Sequence, residues 1–190
     1  ATSCYAGESA CYRAASDVQS KIDEFESNGF SKQESELKGV EEFALECSIL
    51  KVAISEDMQN CADEGIQIFG GMGFSAEAPI ESAWRDSRIG RIYEGTNEIN
   101  RMLAVGELVK RGMKGEFDLL TPAKSVAKEL LAIPDFGSSS QDYFELKHKY
   151  LLNYKKTILL VAGAALKKYM DKFSNEQEII MNIAEIGRAS

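Results

Sequence analysis

Between Ser31 and Gly70 the apolar side chains recur by threes and fours: Val40, Phe43, Cys47, Leu50, Ile54, Met58, Cys61 and, through Gly65, Ile68. That period matches one face of a long α-helix and not a strand, whose faces alternate at every second residue. Prolines number only three in the chain. Turn clusters recur only at long intervals, so the short, evenly spaced strands of a sandwich or barrel have no room. An all-α fold follows. At 190 residues with 44% hydrophobic composition, the chain can build one sizeable domain, or one and a part.

The same spacing places the neighbouring helices. Cys4, Cys11, Ala15, Val18, Ile22 and Phe25 mark a first helix from the start to about Ser27, stopped by Asn28-Gly29. Ser31 and Glu34 form a capping box for the long helix. The short connection makes these two helices antiparallel neighbours in an up-down bundle. Gly70, Gly71 and Gly73 end the long helix and open a loop to Pro79, which starts a short helix to about Ser87. A helix from Thr96 to about Arg111 is expected to turn Ile99, Leu103 and Leu108 inward and to close at Gly112 and Gly115.

Composition shifts after that. Thr121-Pro122 reads as a cap with a first-turn proline, and Ile133 to Ser140 as a flexible linker. A boundary near Phe117 separates an expected bundle domain, 1–116, from a second, incomplete helical domain, 117–190. In the latter, Phe144, Leu151, Tyr154, Ile158, Val161, Ala165 and Tyr169 line one side of a helix over 141–172. Ser174 and Gln177 form a second capping box for a last helix. Both ends look cut: a helix is under way almost at once, and an apolar stripe at Ile179, Ile183 and Ile186 has only begun when the chain stops.

Charge narrows the partners. A net charge of −8 works against nucleic-acid binding, which needs clustered Lys and Arg. The balance is uneven: residues 1–60 carry twelve acidic and five basic side chains, whereas 141–172 carry seven lysines against three carboxylates. Cys4, Cys11, Cys47 and Cys61 form no CxxC pair and fall at apolar helical positions, so they are expected to be buried, reduced thiols. With His148 the only histidine, a zinc site or a His-dependent triad is not expected. No signal peptide is visible, and the longest apolar run, Ile158 to Leu166, is too short to span a bilayer. A soluble, intracellular protein is expected, cytoplasmic in a bacterium or in the mitochondrial matrix of a eukaryote.

Residues 63–101 are the exception to plain helical sequence. The Gly70-Gly71-Met72-Gly73 cluster lacks the spacing and preceding strand of a dinucleotide fingerprint. It is either a helix stop or a place where bare N–H groups approach a phosphate. Glu94, between Tyr93 and Gly95, projects from a tight turn at a helix start. It suits a general base, or equally a partner of the helix dipole, and Thr96 a simple N-cap.

Taken together, QIFGGMGF, WRDSRI and RIYEGTNEINR, in that order and at these intervals, closely resemble the C-terminal helical domain of the acyl-CoA dehydrogenase family. The match is strong across 61–105 and extends over 1–116. The resemblance implies an FAD-dependent enzyme. It would oxidise an acyl-CoA, most like the long-chain substrates of the family, to the trans-2-enoyl-CoA in fatty-acid β-oxidation and pass electrons to an electron-transfer flavoprotein. By matching position Glu94 would abstract the α-proton, and its own backbone N–H would help hold the thioester oxygen. Gln67 and Gly71 match contacts to the FAD pyrophosphate, usually of a neighbouring subunit. Thr96, Asn97 and Glu98 match the FAD-contacting start of the next helix, and Gly95 a residue lining the substrate site. Arg85 and Asp86 match a structural pair.

The resemblance also implies that two upstream domains and the first bundle helix are missing. The chain alone is therefore expected to be inactive and to bind FAD weakly or not at all. Residues 117–190 resemble the extension of the very-long-chain members, which implies a homodimer and allows a peripheral membrane contact through 141–172. An acyl-CoA oxidase-like flavoenzyme and a non-catalytic helical scaffold are the alternatives.

Overall fold

The computed structural model describes residues 2–116, 118, 120–131 and 142–188. Eight α-helices and two short 3-10 helices follow one another there, and no strand occurs among the described residues. The chain falls into two compact units, Ala1–Ala104 and Val105–Ser190. The boundary expected near Phe117 and the linker expected from Ile133 to Ser140 lie outside the described residues.

In the first unit, α1 (Thr2–Ser27) ends where Gly29 takes a φ of 88°, and Phe25 and Phe30 meet edge to face across the turn at 5.7 Å. Glycine enters this left-handed region without the Cβ clash that other residues meet. The capping box at Ser31 is formed from both sides: Glu34 N–H donates to the Ser31 hydroxyl, and Ser31 N–H donates to the Glu34 carboxylate at 3.1 Å. α2 (Lys32–Glu42) packs on α1 through Gly39, where any Cβ would run into Ile22. The long helix is not continuous. It breaks at Phe43, whose φ of −100° and ψ of 21° end α2 and start α3 (Ala44–Phe69).

A 3-10 helix (Gly70–Phe74) and α4 (Pro79–Ile89) complete the run to the Glu94 turn, and both pack against α3. Gly70 needs glycine for its φ of 61°, and Gly73 because a Cβ would lie 2.7 Å from the Ile66 carbonyl oxygen. Gly71 has no such reason: nothing lies within 4 Å of where its Cβ would sit.

The burial of α3 overturns the expected stripe. Val40, Cys47, Met58, Cys61 and Ile68 are exposed, Ile68 by 81%, while Ser48, Val52, Ser55, Glu56, Gln59 and Ala62 are buried. Apolar spacing located a helix but chose the wrong inner face. Polar side chains go inside because they find polar partners: Ser55 and Glu56 on Asn97 and Arg101, Gln59 on Ser87 of α4, and Ser48 on the Ala44 carbonyl of its own helix. The same correction applies to α5 (Asn97–Lys114), where Ile99 and Leu103 are exposed and Asn97, Arg101 and Ala104 are buried. All four cysteines are exposed rather than buried.

The second unit takes the rest of α5, which ends at Gly115 with a φ of 78°. It also holds α6 (Leu120–Leu131), α7 (Tyr143–Tyr169), a 3-10 helix (Met170–Asn175) and α8 (Gln177–Arg188). Asp118 accepts from the Thr121 N–H at the start of α6, and Asp142 caps α7 by accepting from the Glu145 N–H. Gly163 of α7 sits against Ala123 of α6, and Ala162, Ala165, Phe173, Ile180 and Ile183 are buried. Ser174, expected to cap the last helix, lies within the 3-10 helix instead. Phe144, Leu151 and Tyr154 of the expected inner stripe are exposed. No helix among the described residues is long and apolar enough to cross a membrane.

Candidate functional site

Glu94 is one of two non-glycine residues with positive φ among the described residues, at 54°, and Gly95 follows at 82°. Two successive left-handed residues reverse the chain tightly between α4 and α5. A side chain in this region costs about 1–3 kcal/mol unless its surroundings hold it. They do so from inside. Lys51 Nζ donates to the Gly95 carbonyl and to Asn97 Oδ1, both at 2.8 Å. Asn100 Nδ2 adds a bond to the Gly95 carbonyl at 2.9 Å, and the Asn97 N–H donates back to the Arg91 carbonyl at 3.1 Å.

Below the turn lies a buried polar cluster. Asn97, 0% exposed, donates to Ser55 Oγ at 3.0 Å and to Glu56 Oε1 at 3.2 Å. The same Glu56 oxygen accepts from Arg101 Nη2 at 2.7 Å, with Arg91 at 3.8 Å. Glu56 and Arg101 are 6% and 9% exposed, so this is an interior ion pair, and the Asn97 amide adds a further donor to the carboxylate. Lys51, Ser55, Glu56 and Arg101 were not read from the sequence as part of the site. Lys51, Ser55 and Glu56 on α3 and Arg101 on α5 do not fall on the apolar stripes of their helices, and a buried polar face carries no periodic apolar signal. The phase offset between those stripes and the charged residues was the only available hint.

Above the turn is an open, largely apolar groove of about 670 Å³, with Ala15 and Val18 of α1, Leu50 and Ile54 of α3, and Tyr93 and Glu94 among its lining. Glu94 is exposed on this wall. Among the described residues no group accepts from its backbone N–H. At Gly95 a Cβ would crowd Asn100 Nδ2 at 3.0 Å.

At the start of α5, Thr96 Oγ1 accepts from the Ile99 N–H at 3.2 Å, an N-cap. Glu98 is exposed. Its carboxyl is held below the usual range, first by its own backbone N–H, with the Thr96 hydroxyl, Arg101 and Arg91 adding to the effect against some desolvation. The structure thus brings Glu94, Gly95, Thr96, Asn97 and Glu98 to one turn. Gln67 and Gly71 are both exposed at the far end of α3. Arg85 is paired with Glu81 at 2.6 Å on an exposed face.

Comparison with known proteins bears on this geometry. Residues 1–108 match the family described as "Acyl-CoA dehydrogenase, C-terminal domain", and residues 153–189 match a second family of the same description. The chain belongs to the acyl-CoA dehydrogenase family. A "Probable acyl-CoA dehydrogenase" of Bacillus subtilis (strain 168) is 38% identical over 190 residues, 98% of this chain and 31% of the relative. The short-chain specific mitochondrial enzyme of Homo sapiens is 44% identical over 68 residues, 36% of this chain and 16% of the relative. A crystal structure of an acyl-CoA dehydrogenase from Bacillus anthracis complexed with FAD superposes with a TM-score of 0.84 at 39% identity, covering 98% of this chain and 31% of that one. The chain therefore spans under a third of the length of these acyl-CoA dehydrogenases, and its helical fold is that of their C-terminal part.

Proposed function

We propose that the protein carrying this chain is an FAD-dependent acyl-CoA dehydrogenase that converts a fatty acyl-CoA to its trans-2-enoyl-CoA in fatty-acid β-oxidation, with Glu94 as the α-proton base. The observation that carries this reading is the Glu94 turn: a carboxylate held in left-handed backbone by a buried polar cluster and presented on the wall of an apolar groove. Strain maintained in this way is a marker of function rather than of folding.

An acyl chain lying in the groove would bring its thioester α-carbon to the turn. There the Glu94 carboxylate takes the α-proton, and the charge left on the thioester oxygen needs a donor. The Glu94 N–H, without a partner among the described residues, is available for that task. Gly95, which by matching position would line the substrate site, has its carbonyl turned inward to Lys51 and Asn100.

FAD, when bound, supplies the acceptor for the β-hydride. The residues present fit it. Gly71 is exposed and nothing inside the chain requires glycine there, so its bare backbone beside Gln67 suits a pyrophosphate. Near the turn, Thr96 and Glu98 are the cofactor-facing candidates. Glu98, held anionic, suits a cofactor hydroxyl rather than a phosphate. Asn97, whose side chain and N–H are both engaged inside, serves the site by fixing the turn.

A homodimer, in which Gln67 and Gly71 reach the partner's cofactor, and an electron-transfer flavoprotein as acceptor complete the reading and rest on the family. A long-chain substrate is part of the proposal. Its support is the resemblance of residues 117–190 to the extension of the very-long-chain members; relatives named for short and for very long chains match about a third of this chain each, 36% and 34%, and do not separate the two. Exposed Tyr143, Phe144 and Leu151 among the lysines of α7 support a peripheral contact of this helix with an anionic membrane surface.

The test uses the whole protein with FAD bound. Anaerobic mixing with an acyl-CoA should bleach the flavin absorbance, and Glu94→Gln should keep the flavin but slow bleaching by about 100-fold or more. Bleaching at the normal rate in the variant would place the base elsewhere.

A further inference from the structure

We propose that Cys4 and Cys61 form a redox-modifiable thiol pair, closed to an intramolecular disulfide by hydroperoxides and reopened by dithiols. They stand 57 positions apart, on α1 and α3, yet their sulfurs are 3.9 Å from each other and share a hydrogen bond. Both are exposed, so an oxidant of small size reaches them directly. The remaining cysteines are placed differently: Cys11 and Cys47 line the groove beside Glu94, and among the described residues neither makes a sulfur–sulfur hydrogen bond.

The separation suits closure. A disulfide needs its sulfurs at about 2 Å, so the pair must approach by roughly another 2 Å. Cys4 lies near the start of α1, where a helix end gives most easily. The thiols already act on each other: the hydrogen bond with Cys4 pushes the Cys61 thiol above its ordinary range, with slight desolvation and the Cys4 charge adding to it, which suits Cys61 to the second, thiol-bearing step rather than to the first attack. Two ionisable sulfurs sharing one site behave in this way.

The chemistry balances without a metal. One thiolate attacks the peroxide oxygen, the O–O bond breaks, and a sulfenic acid and one water result. The second thiol sulfur attacks the sulfenic sulfur, an S–S bond forms, and the S–O bond breaks to release a second water. Two electrons pass from the sulfurs to hydrogen peroxide, and both thiol protons leave in water. A dithiol returns two electrons and two protons. The bridge would fasten α1 to α3, the helices whose facing sides form the groove, so oxidation would fix the width of that groove.

The experiment treats the reduced, full 190-residue chain with one equivalent of hydrogen peroxide and reads intact mass and free thiols. The expected result is loss of the mass of two hydrogens without added oxygen, disappearance of two of the four thiols, a monomer on a non-reducing gel, and full reversal by dithiothreitol. Cys4 and Cys11 share the tryptic peptide that ends at Arg13, so single Ser variants assign the bridge. Cys11→Ser and Cys47→Ser should close normally, whereas Cys4→Ser and Cys61→Ser should not. Four persistent thiols, oxygen addition in the wild-type chain, disulfide-linked dimers, or closure that survives Cys4→Ser or Cys61→Ser would each overturn the proposal. The wild-type mass and thiol count decide the first three without any variant.

Discussion

Glu94 keeps a backbone angle that most side chains avoid, and its neighbour Gly95 supplies a second left-handed residue at no steric cost. Asparagine tolerates that region better than glutamate. Glu94→Asn should therefore leave the urea midpoint unchanged or raise stability by up to about 1 kcal/mol, while removing the proposed base. A clear loss of stability would mean that the Glu94 carboxylate holds the fold together. A second residue-scale outcome concerns pH. Glu34, through the Ser31 hydroxyl and then the Ser31 N–H, and Glu98, through its own N–H, are held below the ordinary carboxylate range. A folded-state pKa below the unfolded one adds stability above the unfolded pKa, and that stability is lost as pH falls through the folded value. Denaturant midpoints should accordingly drop as pH falls from about 5 toward 3. Glu34→Gln or Glu98→Gln should each flatten that slope, modestly and less so in high salt, because both groups are exposed.

At the scale of the elements, the sequence located helices well and their inner faces poorly. The stop at Gly29, the capping box at Ser31 and the start at Pro79 were all legible, because glycine, short hydroxyls and proline act through local backbone chemistry. The break at Phe43 was not, since no glycine or proline marks it. Nor was the interior of α3. Its apolar stripe lines an open groove, and its polar face, Ser55, Glu56 and Gln59, is the one covered. Periodicity reports that a helix has two faces and cannot say which one a later helix will cover with Asn97 and Arg101. Glu94 was found as a turn residue, whereas its support from Lys51 and Glu56, distant in the sequence, was invisible locally. That support can be tested: Glu56→Ala should cost about 3–5 kcal/mol in urea unfolding, because Arg101 would stay buried beside a missing carboxylate. Glu56→Gln, which keeps an acceptor for Asn97, should cost less. Equal stability of Glu56→Ala and the parent chain would show that the cluster does not hold the turn.

On the scale of the whole molecule, family membership comes with a chain much shorter than its relatives. The chain spans 31% of the Bacillus subtilis relative, and its groove beside Glu94 is open. The acidic balance of −8 sits with lysines gathered on α7, so the two units meet their surroundings with different charge. The proposed catalysis belongs to the whole protein, and the measurement that addresses the proposed role of Glu94 most directly is hydrogen exchange at the substrate. The FAD-loaded protein is incubated anaerobically in D2O with an acyl-CoA, and deuterium at the thioester α-carbon is followed by NMR. The wild-type protein should exchange the α-hydrogen, and Glu94→Gln, with equal flavin content, should lose that exchange by about 100-fold or more. Exchange at the wild-type rate in Glu94→Gln would contradict the assignment and leave the strained turn with another role.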